Sequence, residues 1–309
     1  MSTFMLSRRA RPLAALVIGS SVAACGGGTG APPVPLEGAL VSGHVEALGG
    51  AANLAGVTLR LGTRTTTTNE QGWYLFDQVD AAEHVVVTAA LEGYVGAAET
   101  LRVVAGAAYH VDVVMVPAPE SQTVSVREGG TVGGAGAELT IPPNAFVDAS
   151  GRPVSGEVSI TVAVVDPGAG AQAQDAFPGE FVGVQRDGQE SPLESFGIFA
   201  VEARQAGAVL DLAPGVELGV RVPMGPSGVA TAPASIALWS FDETRGRWQE
   251  EGTATRDGDT YRASLPHLSW WNFDVAYLPQ TTCVFWPSLR PSRRLCSSGA
   301  PSPRTSTRT

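Results

Sequence analysis

The residues best suited to acid–base or metal chemistry in this sequence are its four histidines, His44, His84, His110 and His267. A zinc peptidase of the His₂Glu type needs a His and a Glu three residues apart, with a distant His and a general-base Glu. No histidine here has a glutamate three positions later. The pairs His44–Glu46 and His110–Asp112 each share one face of a strand and could hold a metal, but such pairs are more often solvent-facing. We therefore expect no metal site.

Nucleophilic catalysis and calcium binding also lack their sequence patterns. There is no Gly-x-Ser-x-Gly segment, and Gly225–Gly228 is typical of a turn. The Asp-containing turns lack the spaced ligand run of a calcium loop, so we interpret them as hairpin turns, with a calcium site as the weaker alternative. These absences predict a chain that is not an enzyme and that needs no cofactor.

Three tryptophans, Trp73, Trp270 and Trp271, are the best candidates for ligand contacts. Adjacent residues of a strand point to opposite faces, so we expect one of Trp270 and Trp271 in a core and the other exposed. An exposed indole on a β-sandwich can stack on a sugar ring. Sugar sites normally combine several aromatic side chains with polar groups, so carbohydrate binding is the alternative function and not the first.

The cysteines are Cys25, Cys283 and Cys296, and the first follows a short export signal. Arginines precede an apolar stretch of about seven residues, which is too short to span a membrane as a helix. The segment Val22–Cys25 resembles the lipobox of bacterial lipoproteins. That resemblance implies removal of residues 1–24, acylation of Cys25 and residence in the cell envelope. A plain secretory signal with a chance cysteine is the alternative.

The residue after the candidate acylation site bears on the membrane. Gly26 is not the Asp that retains many such lipoproteins at the inner membrane, which favours the outer membrane. Residues 25–37 are rich in Gly and Pro without apolar periodicity, which predicts a tether. Several acyl chains would be needed for stable anchoring.

Charge limits the partners of the part that follows. All 20 basic residues are Arg, and between Cys25 and Arg290 there are 12 of them against all 30 acidic residues, giving 12 − 30 = −18. Nucleic acids and acidic lipids need clustered cations, so neither is an expected partner. The expected partners are the membrane through the acyl chains, envelope proteins and polysaccharide.

Period-two alternation of apolar residues between Gly-containing turns runs through most of the sequence and predicts half-buried strands. Examples are Val57–Leu61 and Val158–Val164. With 37 Gly and 22 Pro, the chain fits an all-β fold better than a helical one. We predict two tandem β-sandwich modules, spanning 38–117 and 118–278, and a tail at 279–309.

The first module resembles the carboxypeptidase regulatory-like domain, a transthyretin-like β-sandwich. The resemblance rests on Val41–Val45, Gly56–Leu59, Thr68–Phe76 and Glu92–Tyr94. It implies an accessory module without catalysis of its own, and it leaves open a third possibility, an accessory part of a peptidase system.

The second module resembles the β-module of netrin receptors and ankyrins and the extracellular part of the astroprincin family. The residues that carry this likeness are Leu139–Phe146, Val220–Pro223 and Leu238–Trp248. Separately, His267–Asp274 resembles the closing strand of similar bacterial lipoproteins. These relatives act in adhesion or assembly. Together the two resemblances imply a structural, adhesive or protein-interaction scaffold.

The tail differs sharply in composition from the modules. Its last 25 residues, from Phe285, hold six Ser, five Arg, four Pro and three Thr, with no Asp or Glu. Our hypothesis is an out-of-frame gene end, and the alternative is a disordered basic tail that contacts anionic lipopolysaccharide. Cys283 and Cys296 could form a disulfide in an oxidising compartment, or Cys296 could be adventitious.

Overall fold

The computed structural model describes residues 38–50 and 53–277, together with the backbone of Arg11–Pro12. Cys25, the tether, the tail and the cysteines at 283 and 296 lie outside the described residues. Nearly every element in the described part is a strand, so the predicted all-β class is confirmed. In that part, none of the helices has the length and apolar character needed to cross a membrane.

The first sandwich is built from two sheets. Its strands are β1 (Arg11–Pro12), β2 (Ala39–Ala47), β3 (Thr58–Leu61), β4 (Arg64–Thr67), β5 (Trp73–Val79), β6 (Ala82–Ala90), β7 (Ala97–Val103), β8 (Ala108–His110) and β9 (Val113–Met115). One sheet has the order β1-β8-β2-β5, with β9 also paired to β2, and the other has the order β4-β3-β6-β7. Because β1 falls in the predicted signal peptide, its pairing with β8 would exist only before cleavage.

Strict alternation on β2 shows how the first sandwich buries its core. Val41 and Val45 point inward and are fully buried, while Ser42 and His44 point outward and are partly exposed. Inward side chains from both sheets, including Leu59 and Val87, meet between them. One face of each sheet therefore forms the core, as in other sandwiches.

The second sandwich forms around one long, continuous sheet. Its strands are β10 (Gln122–Ser125), β11 (Gly130–Gly134), β12 (Ala137–Ile141), β13 (Phe146–Val147), β14 (Glu157–Val165), β15 (Val182–Val184), β16 (Glu190–Gln205), β17 (Ala208–Val209), β18 (Asp211–Leu212), β19 (Leu218–Pro223), β20 (Ser235–Asp242), β21 (Arg247–Asp257), β22 (Thr260–Leu265) and β23 (Trp270–Ala276). The sheet order is β10-β14-β16-β23-β20-β21-β22-β19-β12-β11, with β15 and β17 paired to β16, and β13 pairs with β18.

A third cluster of buried side chains joins the two sandwiches. From the first sandwich come Val95, Ala98, Val114 and Val116, and from the second come aromatic residues such as Trp239, Phe241, Trp248 and Trp270. We call this cluster the shared core. It covers the outer face of β16, β20 and β23 and the ends of β14 and β21 near Val165 and Trp248. These stretches are therefore buried on both faces, which explains why β23 begins with five consecutive buried residues.

The segment 167–178, which is rich in Gly, Ala and Gln, contains two short helical elements. They are a 3₁₀ turn at Pro167–Ala169 and the helix α1 at Ala171–Asp175. Gln172 of α1 accepts a hydrogen bond from the Gly49 amide at 2.9 Å and donates one to the Ala47 carbonyl at 3.3 Å. The segment is therefore part of the contact between the sandwiches.

Candidate functional site

The outward face of the first sandwich gathers two histidines, an aspartate and a tryptophan, which we call the His–Asp cluster. His44 lies on β2 directly opposite Trp73 of the neighbouring strand β5. On the other side of β2, the parallel register places His110 beside Ser42. Asp112 lies in the short gap between β8 and β9. Both of these strands pair with β2, which fixes the position of the gap beside β2.

Asp112 is held by a local departure from regular strand pairing. The His44 amide donates a hydrogen bond to Asp112 Oδ1 at 2.8 Å, in place of a backbone carbonyl. Position 43 must be glycine here, because a Cβ atom would lie 1.8 Å from the Val111 carbonyl oxygen. That same oxygen accepts a hydrogen bond from the buried Tyr74 hydroxyl at 2.6 Å. The backbone therefore fixes the carboxylate beside the imidazoles.

Burial raises the pKa of Tyr74, and the negative charges of Glu99 and Asp112 raise it further. The phenol consequently stays protonated and serves as a hydrogen-bond donor beneath the cluster. It is a positioning group, because its hydroxyl is occupied by the Val111 carbonyl and points away from solvent.

The cluster is open to solvent, and its candidate ligand atoms lie close together. Asp112 Oδ1 lies 3.0 Å from His110 Nε2 and 3.8 Å from His44 Nδ1, and about half of the Asp112 side chain is exposed. The ring centroids of His44 and Trp73 are 3.4 Å apart. Two imidazole nitrogens and one carboxylate oxygen thus converge on one surface point, next to an indole that is 43% exposed.

The sequence pointed to these residues but not to their grouping. It set His44 with Glu46 and His110 with Asp112 as two separate solvent-facing pairs, whereas the structure brings His44, His110 and Asp112 together. The missing information is the parallel pairing of β2 with β8 and β9, which joins residues 68 positions apart. No local pattern carries that pairing.

Trp270 was predicted as a ligand contact, and the structure places it in the shared core instead. Its side chain is only 5% exposed, and its Nε1 donates a hydrogen bond to the Gly96 carbonyl of the first sandwich at 2.7 Å. Nearby, the Gly96 amide donates to Glu202 Oε1 at 3.1 Å and Thr100 Oγ1 donates to the Gly246 carbonyl at 3.1 Å. Trp270 therefore contacts the neighbouring sandwich and not solvent.

Trp271 points to the opposite face, as predicted, but it is fully buried in the core of the second sandwich. The expectation that one of the adjacent pair is exposed is therefore wrong. The physical reason is that the first sandwich covers the face that would otherwise be open to solvent. Stacking of a sugar on Trp270 would require the sandwiches to separate, and stacking on Trp271 would require the core of the second sandwich to open. Among the three predicted tryptophans, Trp73 alone has an accessible ring.

A polar group that the sequence analysis missed lies buried in the second sandwich. Ser195 Oγ donates to Asn272 Oδ1 at 2.6 Å, and Asn272 Nδ2 donates to Asp274 Oδ2 at 2.5 Å. Asp274 is fully buried, and its Oδ1 has no hydrogen-bond partner among the described residues. Burial raises the pKa of this carboxyl, Glu194 adds to the rise, and the bonds with Ser195 and Asn272 oppose it.

A shallow groove of about 500 Å³ opens where β21 and β22 diverge. Glu217, Thr253, Arg262 and Ser264 contribute to its lining, and no aromatic residue stands among its described lining residues. Glu251 at its rim accepts a hydrogen bond from Ser240 at 2.6 Å and lies 3.0 Å from His267 Nε2. Without an aromatic platform, this groove is a poorer sugar site than the face around Trp73.

Comparison with known proteins gives partial relatives. The chain is 34% identical over 123 residues to human cartilage intermediate layer protein 2, covering 40% of this chain and 10% of the relative. It is 28% identical over 116 residues to mouse cartilage intermediate layer protein 1, covering 38% of this chain and 10% of the relative. The chain thus spans about a tenth of the length of the curated relatives it matches. No protein-family model matches it.

Solved structures give only distant likenesses. A Bacteroides fragilis protein named as membrane-associated and of unknown function covers 78% of this chain and 99% of its own, at 10% identity and a TM-score of 0.23. A Bacteroides uniformis protein named as a carbohydrate binding protein covers 77% of this chain and 99% of its own, at 7% identity and a TM-score of 0.20. Scores this low carry no functional weight.

Proposed function

We propose that this chain is a lipid-anchored protein of the bacterial cell envelope, held at the outer membrane by acyl chains on Cys25. Its two β-sandwiches act as a non-catalytic scaffold for structural, adhesive or protein-interaction contacts. The support for the anchor is the lipobox-like segment Val22–Cys25 after a short export signal.

The observation that carries the scaffold role is the shared core. Two separately folded sandwiches on a flexible linker would each expose a polar outer face, whereas here large aromatic side chains such as Trp239, Trp248 and Trp270 are buried between them. An apolar contact of this kind favours a fixed arrangement of two domains over free relative motion. A fixed arrangement of the two sandwiches favours a structural or protein-binding role over catalysis.

The partial relatives also support the scaffold role. Their names refer to a layer of cartilage, which is an extracellular material. The match covers only about a tenth of those proteins. We therefore infer from them only a role in a structural material outside cells, and no partner or activity.

Metabolic labelling tests the anchor. Cells that express the full chain are fed a clickable fatty acid, and wild type is compared with Cys25→Ser. We expect label on the wild type alone, and protease treatment of intact cells then tells whether the sandwiches face outward. An unmodified wild-type protein released into the medium contradicts the anchor, and label that persists in Cys25→Ser assigns it to another residue.

Polysaccharide binding is the second candidate, and the exposed ring of Trp73 favours it. The indole stands on an open sheet face beside polar side chains that could bind sugar hydroxyls. Affinity electrophoresis of the full chain in gels that contain envelope polysaccharide tests it, with Trp73→Ala as the variant. Leu75→Ala is the matched control, because Leu75 is also exposed on β5 but cannot stack. Retardation lost only in Trp73→Ala supports this function, and no retardation of wild type excludes it for the glycans used.

A further inference from the structure

We propose that the His–Asp cluster is a binding site for a divalent transition metal of the Zn²⁺ or Cu²⁺ class, with His44 Nδ1, His110 Nε2 and an Asp112 carboxylate oxygen as ligands. This site does not depend on the proposed scaffold function. Imidazole and carboxylate together are the donor set that such borderline metals prefer in proteins.

The distances fit a site that needs little rearrangement. All three candidate ligand atoms lie within 4.8 Å of one another, with His110 Nε2 at 3.0 Å and His44 Nδ1 at 3.8 Å from Asp112 Oδ1. Ligands bound to zinc at about 2.0–2.1 Å in a tetrahedral arrangement stand about 3.3 Å apart. Small side-chain rotations of His44 and His110 therefore close the set around an ion.

The ligands are also held in advance by the fold. The His44 amide orients the Asp112 carboxylate, and the ring of Trp73 packs against the His44 imidazole. Both histidines stand on strands that pair with each other, so the backbone separation of the ligands is fixed. Outer contacts of this kind orient metal ligands and strengthen binding.

Access and charge favour a cation at this point. The side chains of His44, His110 and Asp112 are 28%, 36% and 51% exposed, so an ion can reach them from solvent. The chain between Cys25 and Arg290 has 12 Arg and 30 acidic residues, an excess of 18 negative charges, and such a charge raises the concentration of cations near the protein. Three protein ligands leave at least one coordination position open to water.

The test measures metal binding to the untagged full chain, produced with Cys25→Ser, Cys283→Ser and Cys296→Ser so that no thiol competes for the ion. Equilibrium dialysis against Zn²⁺ gives the stoichiometry, and titration with Cu²⁺ follows quenching of tryptophan fluorescence. We expect one equivalent of Zn²⁺ and quenching of a fraction of the emission, since Trp73 is one of six tryptophans. That quenched fraction disappears in Trp73→Phe while Zn²⁺ binding persists.

Ligand substitutions decide the assignment. His44→Gln and His110→Gln should each weaken Zn²⁺ binding at least about tenfold, a loss at least as large as for groups that only orient a ligand. His84→Gln is the matched control: its ring lies beside the Arg247 guanidinium, which repels cations, and the substitution leaves binding unchanged. Asp112→Asn is a further variant that keeps the size of the side chain.

Two results overturn the proposal. One is the absence of saturable Zn²⁺ or Cu²⁺ binding to the parent chain. The other is binding that survives His44→Gln and His110→Gln in proteins whose circular dichroism and thermal midpoint match the parent. A ligand variant that fails this folding check is replaced by the other histidine variant or by Asp112→Asn, so the result does not rest on one substitution.

Discussion

Strands β5 and β23 both begin with tryptophan, and they differ completely in how those rings are used. On β5, Trp73 and Leu75 are exposed while Tyr74 and Phe76 are buried, so one face of the strand meets solvent. On β23, Trp270 and Trp271 are both buried, one in the shared core and one in the core of the second sandwich. Burial of an aromatic residue on a strand therefore depends on what covers the outer face of its sheet.

The largest expected effect comes from Trp271→Ala. Truncation of a fully buried aromatic side chain costs about 3–5 kcal/mol of unfolding free energy, because it leaves a cavity and loses apolar burial. We expect urea unfolding to show this loss in probes of the second sandwich. Trp271→Phe, which keeps most of the ring, should lose much less. A loss under about 1 kcal/mol in Trp271→Ala would contradict the core position, since surface substitutions have effects of that size.

Trp270→Ala, one residue earlier, should act on the other face of the same strand. It removes the bond to the Gly96 carbonyl and opens the shared core, at a cost of about 3 kcal/mol, the low end for buried aromatic truncation. We expect faster hydrogen exchange in β7 of the first sandwich, which Trp271→Ala should leave protected. Unchanged exchange in β7 would show that Trp270 does not hold the sandwiches together.

These two variants also mark what the sequence could and could not predict. Alternation correctly assigned strands and placed Trp270 and Trp271 on opposite faces, because side-chain direction is local information. It could not show that both faces are covered, since Trp270 and Gly96 are 174 positions apart. The available signal was the adjacent pair Trp270 and Trp271 at the start of β23, because consecutive apolar residues, unlike strict alternation, indicate a strand buried on both sides.

The same limit applies to the His–Asp cluster. The sequence predicted each pair of residues along a single strand. The cluster, however, depends on the parallel pairing of β2 with β8 and β9, and alternation does not specify which strands pair. The glycine at position 43 was visible in the sequence as well. Its meaning, a close approach by the Val111 carbonyl, appears only when the neighbouring strand is in place.

Asp274 allows the buried face of β23 to be probed by pH. Its folded pKa is raised by burial, so the folded state keeps a proton that the unfolded chain releases near its ordinary pKa of 3.8. Its contribution to stability is therefore full below that pH and declines as pH rises through the folded pKa. Asp274→Asn should match wild type near that lower pH and be more stable at neutral and alkaline pH, by less than the tryptophan losses.

Unfolding by urea at a series of pH values measures this difference. Asp211→Asn is a suitable control, because Asp211 is exposed at the edge strand β18 and its loss removes one carboxylate without touching the buried cluster. If wild type and Asp274→Asn keep a constant difference from acid to alkaline pH, the buried carboxyl does not titrate as described.

The pair His267–Glu251 should give a smaller pH effect, in which stability is lost on both the acid and the alkaline side. Burial lowers the pKa of His267, but its hydrogen bond with Glu251 and the charge of Glu251 outweigh this and raise the pKa above 6.5. The hydrogen bond from His267 lowers the pKa of Glu251 below 4.5, against burial. The histidine contribution is lost as pH rises through its folded pKa, and the glutamate contribution is lost as pH falls through its own.

The pair therefore contributes most to the free energy of unfolding between pH 4.5 and 6.5, where His267 is protonated and Glu251 is ionised. His267→Gln should reduce unfolding free energy there by about 0.2–1 kcal/mol, because both side chains are about a third or more exposed. The reduction should shrink at alkaline pH. His84→Gln serves as the control, because the ring of His84 lies beside the Arg247 guanidinium. A reduction that grows with pH would have the wrong sign for this pair.

Trp73→Ala should have the smallest effect on stability, and it completes the comparison between β5 and β23. The indole is 43% exposed and packs mainly on His44, so its removal should change unfolding free energy by no more than about 0.5 kcal/mol. Leu75→Ala, on the same open face, should behave alike. A loss in Trp73→Ala that approaches the loss in Trp270→Ala would mean that something covers the outer face of β5 as well. The two strands would then be alike, and the open His–Asp surface would have to be reconsidered as an interface.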